Sequence, residues 1–316
     1  MARIVVALGG NALQANPKDI SAEAQLETCH HTAKAIVDLI EDGHEVIIAH
    51  GNGPQVGQIV ATYEAANAQD SSNPVMPFPE CGAMSQGYIG YHLQQAIREE
   101  MLRRDIKKSV AAIVTQVVVD KNDPGFKNPT KPVGSFFTEE QAKVLMAEKG
   151  YVMKEDAGRG WRRVVPSPMP VAVVEEPIVK TLVEAGHVVI TVGGGGVPVI
   201  MKEDGTLEGV AAVIDKDLAS EKIAELLDAD ELVILTAVEK VAINFNKPNQ
   251  RDLDTLTVEE AERYIEEGHF APGSMLPKVK AAMMFANSKE GRRAIITSLE
   301  KAREALKGLT GTVVIR

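Results

Sequence analysis

Ile4-Val5-Val6-Ala7-Leu8-Gly9-Gly10-Asn11 is an apolar run that ends in a glycine turn, and the chain repeats the pattern twice. Val46–Ala49 leads into His50-Gly51-Asn52-Gly53, and Val188–Val192 leads into Gly193-Gly194-Gly195-Gly196. A short, continuous apolar run is the pattern of a strand buried on both faces in a parallel sheet. Glycines at its end let backbone N–H groups approach a ligand closely, and a helix beginning there adds partial positive charge. Three such turns predict several oxyanion sites along one edge of a parallel sheet. Phosphate chemistry is therefore the first expectation.

The surrounding sequence extends the pattern. Leu39-Ile40-Glu41-Asp42-Gly43-His44 and Leu182-Val183-Glu184-Ala185-Gly186-His187 echo one another, each reading as a helix end with a glycine cap before a buried strand. Further strands are predicted at Leu232–Leu235, after a helix Leu218–Leu227, and at Ala294–Thr297, after a helix Val279–Asn287. Pro54 suits the first turn of a helix running to Asn67. A second helix, Cys81 to Arg104, contains Gly82, Gly87 and Gly90, which permit close packing within one subunit or between two. Alternating strands and helices imply an α/β protein: a three-layer αβα sandwich with a central, mostly parallel sheet.

Composition narrows the function. The 316 residues carry a net charge of −10, which argues against a nucleic-acid partner. Cys29 and Cys81 fit no metal or redox spacing. The N-terminus reads as a strand and not a signal peptide, and no apolar run is long enough to span a membrane, so the cytoplasm is expected. Residues 121–163 stand apart. Nine basic residues against six acidic ones give that stretch +3 and leave the rest of the chain at −13. Asp156-Ala157-Gly158-Arg159-Gly160 reads as a hairpin turn between Gly150–Glu155 and Trp161–Val165. The stretch is read as a protruding, lid-like insertion, or else as a solvated flap, and Trp161 would report its motion. No Walker loop, clean dinucleotide fingerprint or protein-kinase motif is present.

Taken together, the glycine turns and several further motifs resemble the amino-acid kinase superfamily and, within it, the carbamate kinases. Those further motifs are Ala83-Met84-Ser85-Gln86-Gly87-Tyr88-Ile89-Gly90, Gly160-Trp161-Arg162-Arg163, Val213-Ile214-Asp215-Lys216-Asp217, Phe245-Asn246-Lys247-Pro248, and Pro272-Gly273-Ser274-Met275 through Pro277-Lys278-Val279. The resemblance covers nearly the whole length. It implies one domain over 1–316, with a phosphoryl-acceptor half near 1–215 and a nucleotide half near 216–316. It also implies reversible phosphoryl transfer between ATP and carbamate, giving ADP and carbamoyl phosphate, with Mg²⁺ carried by the nucleotide. A homodimer, and a place in arginine fermentation making ATP, follow from the same resemblance.

Site residues carry over position by position. Lys216 and Lys278 are expected on the ATP phosphates and the transferring group, with Asp217 orienting the lysines or capping a helix at Leu218. Relatives acting on acetylglutamate or UMP have a lysine where Ala7 stands. Here Lys131, from the insertion, is expected to supply that charge. Gly9, Gly10 and Asn11 are expected to line the shared phosphoryl site, and Gly51, Asn52 and Gly53 to hold carbamate. Gly193, Gly194, Gly195 and Gly196 are expected to serve the nucleotide phosphates, and Thr236, Ala237, Val238 and Met275 to line the adenine pocket. In some relatives an aromatic stands near Ala242, and none is present there. Asp215 and Asp217 form no dedicated cluster, so no metal ligands are assigned. The alternatives are a superfamily kinase for another small acid and a non-catalytic sensor on the same fold.

Overall fold

A computed structural model of the chain describes residues 1–16, 19–156 and 158–316. The central sheet has eight strands. Their order is Thr255–Thr257, Thr312–Ile315, Arg293–Ser298, Glu231–Thr236, Arg3–Leu8, Glu45–His50, Val188–Ile190 and Val110–Ala112. All neighbours pair in parallel except Arg293–Ser298 with Thr312–Ile315. The mostly parallel sheet read from the apolar runs is thus present. Val6 aligns with Ile48 on one side and Val233 on the other, so the glycine turn after Leu8 and that after His50 leave the sheet at the same edge.

The alternation of side chains along a strand divides the core. Ile4, Val6 and Leu8 pack with helices Ala22–Glu41 and Phe78–Arg103. Val5 and Ala7 face helices Lys216–Leu226 and Met275–Ser288 on the opposite side. Helices on both faces make the three-layer sandwich. Gly90 settles part of the packing question within one subunit: a methyl there would stand 2.7 Å from Ala112 Cβ, whereas nothing lies within 4 Å of one on Gly82 or Gly87.

Two expectations change. The third glycine turn leads into no helix; Gly193–Gly195 forms one 3-10 turn and continues as the strand Val197–Met201 of a second, four-stranded sheet. The helix placed at Leu218 begins at Lys216, because Asp215 caps it by accepting from the Asp217 N–H at 2.9 Å.

The stretch 121–163 contains an antiparallel sheet of Lys131–Phe137, Trp161–Val165 and Met153–Glu155, with the helix Glu139–Lys149. Ala157, in the turn expected there, lies outside the described residues. The strand Lys131–Phe137 packs on the helix Gly53–Gln69, where a methyl on Gly57 would stand 3.3 Å from Gly134 Cα. Tyr151 Oη donates to Glu64 at 2.7 Å across the same junction.

Helices Lys216–Leu226 and Met275–Ser288 lie side by side and point the same way, since Lys278 meets Asp217 at one end and Arg292 meets Asp228 at the other. On the first of these helices, Glu221 is buried, and its Oε2 has no hydrogen-bond partner. Burial, reinforced by Glu225 and opposed by Lys222 and Arg292, pushes its carboxyl up to about 7. A raised carboxyl pKa favours the folded state below the unfolded value and loses that contribution as pH rises through about 7. We expect Glu221→Gln to flatten the fall in stability between pH 4.5 and 7 and to stabilise the protein by about 1–3 kcal/mol at pH 8, read by urea unfolding at several pH values.

Candidate active site

The site forms where two helix N-termini meet the glycine edge of the sheet. Asp217, in the first turn of Lys216–Leu226, is only 2% exposed. Its two oxygens receive different lysines. Lys216 Nζ donates to Oδ1 at 2.5 Å, and Lys278 Nζ donates to Oδ2 at 3.1 Å. Two residues earlier, Asp215 Oδ2 accepts from Lys131 Nζ at 2.6 Å. The insertion, the helix Lys216–Leu226 and the helix Met275–Ser288 each contribute one ammonium group.

Electrostatics explains why the cluster tolerates burial. Burial alone would raise the Asp217 carboxyl, but Lys216 and Lys278 outweigh it and hold it below the ordinary carboxylate value. Burial lowers the Lys278 ammonium, Lys216 lowers it further, and Asp217 works in the opposite direction. The N-termini of the two helices add partial positive charge on the same side. The arrangement suits a ligand carrying several negative charges.

Two cavities share this cluster as a wall, and a third meets the larger of them at Thr236 and Ala237. A cavity of 260 Å³ is bounded by Gly51, Asn52, Gly53, Lys131, Lys216 and Lys278, among others. A groove of 690 Å³ runs past Gly9, Gly10 and Asn11 to Thr236 and Ala237, and also touches Lys216 and Lys278. A third, of 670 Å³, is lined by Thr236, Ala237, Val238 and Met275. The structure therefore brings the expected lysines, Asp217 and the first two glycine turns together, and Thr236, Ala237, Val238 and Met275, expected around adenine, line one cavity.

The glycines shape the small cavity through what they admit. A methyl on Gly51 would stand 3.2 Å from Lys216 Cδ, so the lysine stem passes over this residue. Asn52 turns its amide to Ser85, with Nδ2 donating to Oγ at 2.8 Å, and does not cap the helix Gly53–Gln69 that it precedes. That leaves the Gly53 and Gln55 N–H groups without intrahelical partners at the cavity. His50 Nδ1 holds the Gly51 carbonyl at 2.8 Å; burial, helped by Lys216, drives this ring down to about 4 and keeps it neutral.

Gly193–Gly196 lie elsewhere than the nucleotide reading placed them. Only Gly194 touches the small cavity, and none of the four lines the two larger ones. They form the floor beneath the second turn: a methyl on Gly194 would stand 2.2 Å from Asn52 Nδ2, and one on Gly195 2.1 Å from the Ile214 carbonyl oxygen. Val192, fully buried, holds a left-handed backbone (φ 43°) there, with its N–H donating to Thr115 Oγ1 at 3.1 Å. A β-branched residue in that conformation stores about 1–3 kcal/mol of strain.

Three residues of the site stand inside the motifs that carry the resemblance but were given no role from sequence. Asp215 carried a helix-capping signal that Asp217 obscured. Gln55 was masked by the glycines around it. Phe245 lines the 670 Å³ cavity with His269 and supplies the aromatic that Ala242 does not. The described residues hold no cluster of three or more His, Cys, Asp or Glu suited to a metal. Asp215 and Asp217 are both engaged by lysines, so they do not fit a protein-held cation. No helix among the described residues is long and apolar enough to cross a membrane.

Comparison with known proteins agrees with this geometry. The model of the amino acid kinase family matches residues 2–298. A carbamate kinase of Clostridium perfringens is 62% identical over 99% of this chain and all of its own. The carbamate kinase-like protein YqeA of Escherichia coli is 60% identical over 99% of this chain and 98% of its own. The structure of a carbamate kinase from Giardia lamblia bound to AMP-PNP superimposes with a TM-score of 0.92 at 43% identity, covering 99% of this chain and 98% of that one.

Asp217 is the residue on which the cluster turns. Asp217→Asn leaves Lys216 and Lys278 facing one another without a buried counter-charge, and we expect it to destabilise the fold by about 3–5 kcal/mol at pH 7. The loss shrinks as pH falls through the Asp217 titration, because protonation removes the same charge from the parent protein. Urea unfolding of both proteins at pH 7, and at a pH below the ordinary carboxylate value, measures it.

Proposed function

The chain belongs to the amino acid kinase family, and on that premise we propose that it moves a phosphoryl group between ATP and carbamate, with ADP and carbamoyl phosphate as the other pair. The observation that carries the reading is the meeting of three lysines and two aspartates at a cavity of 260 Å³, with Lys216 and Lys278 shared by a groove of 690 Å³ that meets a further cavity of 670 Å³ at Thr236 and Ala237. Carbamate is small enough for the first. ATP spans the others, with adenine among Val238, Met275 and Phe245 and its phosphates toward Gly9, Gly10 and Asn11.

In the forward direction a carboxylate oxygen of carbamate attacks the γ-phosphorus while the bond to the ADP oxygen breaks. Carbamate is already an anion, so no general base is needed. The protein positions the two partners and neutralises charge spreading over the equatorial oxygens. Lys216 and Lys278 face the transferring group, Lys131 faces the acyl side, and Asp217 holds two ammonium groups in place without touching substrate. The free N–H groups of Gly53 and Gln55 offer hydrogen bonds to the carbamate carboxylate. Mg²⁺ carried by the nucleotide would add to this charge neutralisation, with no ligand assigned to the protein.

The same reading makes residues 121–163 a lid that brings Lys131 to the acceptor, with residues 1–215 forming the acceptor half and 216–316 the nucleotide half. It places the enzyme in the cytoplasm, making ATP from carbamoyl phosphate in arginine breakdown. A homodimer fits the exposed Met84, Tyr91 and Leu102, whose 7- and 11-residue spacings put them on one face of the helix Phe78–Arg103.

ATP formation from ADP, Mg²⁺ and carbamoyl phosphate is the direct test, with acetyl phosphate as control. We expect rapid ATP formation selective for carbamoyl phosphate. Its absence from folded, nucleotide-binding protein would shift the reading to another acid substrate or to a sensor. Lys278→Ala should lower turnover about 10²–10³-fold with the fold retained. Near-normal turnover in that folded variant would remove Lys278 from the mechanism.

A further inference from the structure

We propose that Arg162 is a positioning residue for phosphoryl transfer: it clamps a bulge in the strand Lys131–Phe137 and so fixes where Lys131 stands at the acceptor cavity. The inference rests on the role given to Lys131 above and adds to it the side chain that holds the strand from which this lysine extends.

The strand Lys131–Phe137 does not pair evenly with Trp161–Val165. Lys131, Pro132 and Val133 face Val165, Val164 and Arg163 in register, but the next pair is Phe137 with Trp161. Residues 134–136 therefore stand against the single residue Arg162. Extra residues in one strand bend it and can re-aim a side chain. Gly134 opens the bulge with a left-handed backbone, φ 72°. Arg162 spans it. Its Nη2 donates to the Gly134 carbonyl at 3.1 Å, and its guanidinium lies 5.0 Å from the centre of the Phe136 ring. Its Nη1 donates to Asp156 Oδ2 at 3.2 Å, tying the bulge to the turn before Trp161. The Arg162 side chain is 20% exposed, so these contacts are made largely out of water.

The surroundings of the bulge make its shape matter. Lys131 stands three residues before Gly134, and its Nζ reaches Asp215 at 2.6 Å. Between them, Pro132 is part of the wall of the 260 Å³ cavity and Val133 is buried in a cluster with Val56 and Phe78. A methyl on Gly57 would stand 3.3 Å from Gly134 Cα, so the bulge is seated on the helix Gly53–Gln69 with little room to slide. Asp215 thus holds the tip of Lys131, and Arg162 holds the strand behind it. A shift of the strand by about 1 Å carries the lysine with it, and misplacement on that scale can cost about 10²-fold in rate. Arg162 is not among the residues lining the 260 Å³ cavity, so it acts through Lys131 and does not touch substrate. Lysine would be a poor replacement, since one ammonium lacks the planar fork that meets a carbonyl and a carboxylate together.

The test is a double-mutant cycle in ATP formation from ADP and carbamoyl phosphate. It compares the parent protein, Arg162→Met, Lys131→Met and the protein carrying both, with urea unfolding as the check on folding. Arg162→Met should lower kcat/KM for carbamoyl phosphate about 10- to 100-fold and change KM for ADP less than about 3-fold. In the Lys131→Met background the same substitution should cost less than about 2-fold, because the group it positions is gone. Arg162→Lys should give a smaller fall with the same dependence on Lys131, and it carries the cycle if Arg162→Met does not fold. An equal fall in both backgrounds, an unchanged value for carbamoyl phosphate, or a rise in KM for ADP as large as that fall overturns the assignment. A Lys131→Met protein as active as the parent overturns the role of Lys131 instead, and a parent that makes no ATP from carbamoyl phosphate overturns the phosphoryl-transfer reading. Each of these differs from an active cycle without coupling.

Discussion

The two-oxygen grip of Asp217 on Lys216 and Lys278 is the constraint on which the rest of the site depends. Phosphoryl transfer calls for concentrated positive charge, and concentrated positive charge repels itself in a buried place. A carboxylate between two ammonium groups resolves the conflict and fixes both side chains in space. Asp215 does the same for Lys131 while also starting the helix that carries Asp217. One helical turn therefore sets the positions of three cations that arrive from widely separated parts of the chain.

The sheet makes this convergence possible. Parallel neighbours in matched register bring successive loops to one edge, and alternate side chains of each strand anchor helices on opposite faces. The second core holds Lys216–Leu226 and Met275–Ser288 side by side, so that both N-termini reach the glycine edge together. Without the common direction of these two helices, Lys278 would lie far from Asp217.

Much of this was legible in the sequence, for reasons that can be named. Continuous apolar runs betray doubly buried strands, so Arg3–Leu8, Glu45–His50 and Glu231–Thr236 were readable. Lys216 and Lys278 came from motif resemblance, since a lone lysine has no local signature. The run Gly193–Gly196 misled, because glycine has two uses: it admits a ligand, or it admits other parts of the protein. Here Asn52 and the Ile214 carbonyl occupy the space a side chain would take. Asp215 and Asp217 compete for one capping position, and only the backbone geometry decides between them. The buried hydrogen bonds from Gln55 to Gln25 and from Gln25 to the Ile20 carbonyl were unreadable, because sequence spacing does not encode such a chain of partners.

The uncapped start of the helix Gly53–Gln69 has a consequence beyond catalysis. Asn52 faces Ser85, so the helix lacks the cap that a residue of its type ordinarily provides. An anion bound at this N-terminus would complete the helix. Substrate occupancy and the integrity of this first turn then become a single linked equilibrium, in which each molecule bound raises the resistance of the acceptor wall to local unfolding. The insertion rests on this same helix, so the ordering passes on to the strand that carries Lys131. Without a ligand, this first turn and the strand resting on it would be the looser part of the acceptor wall.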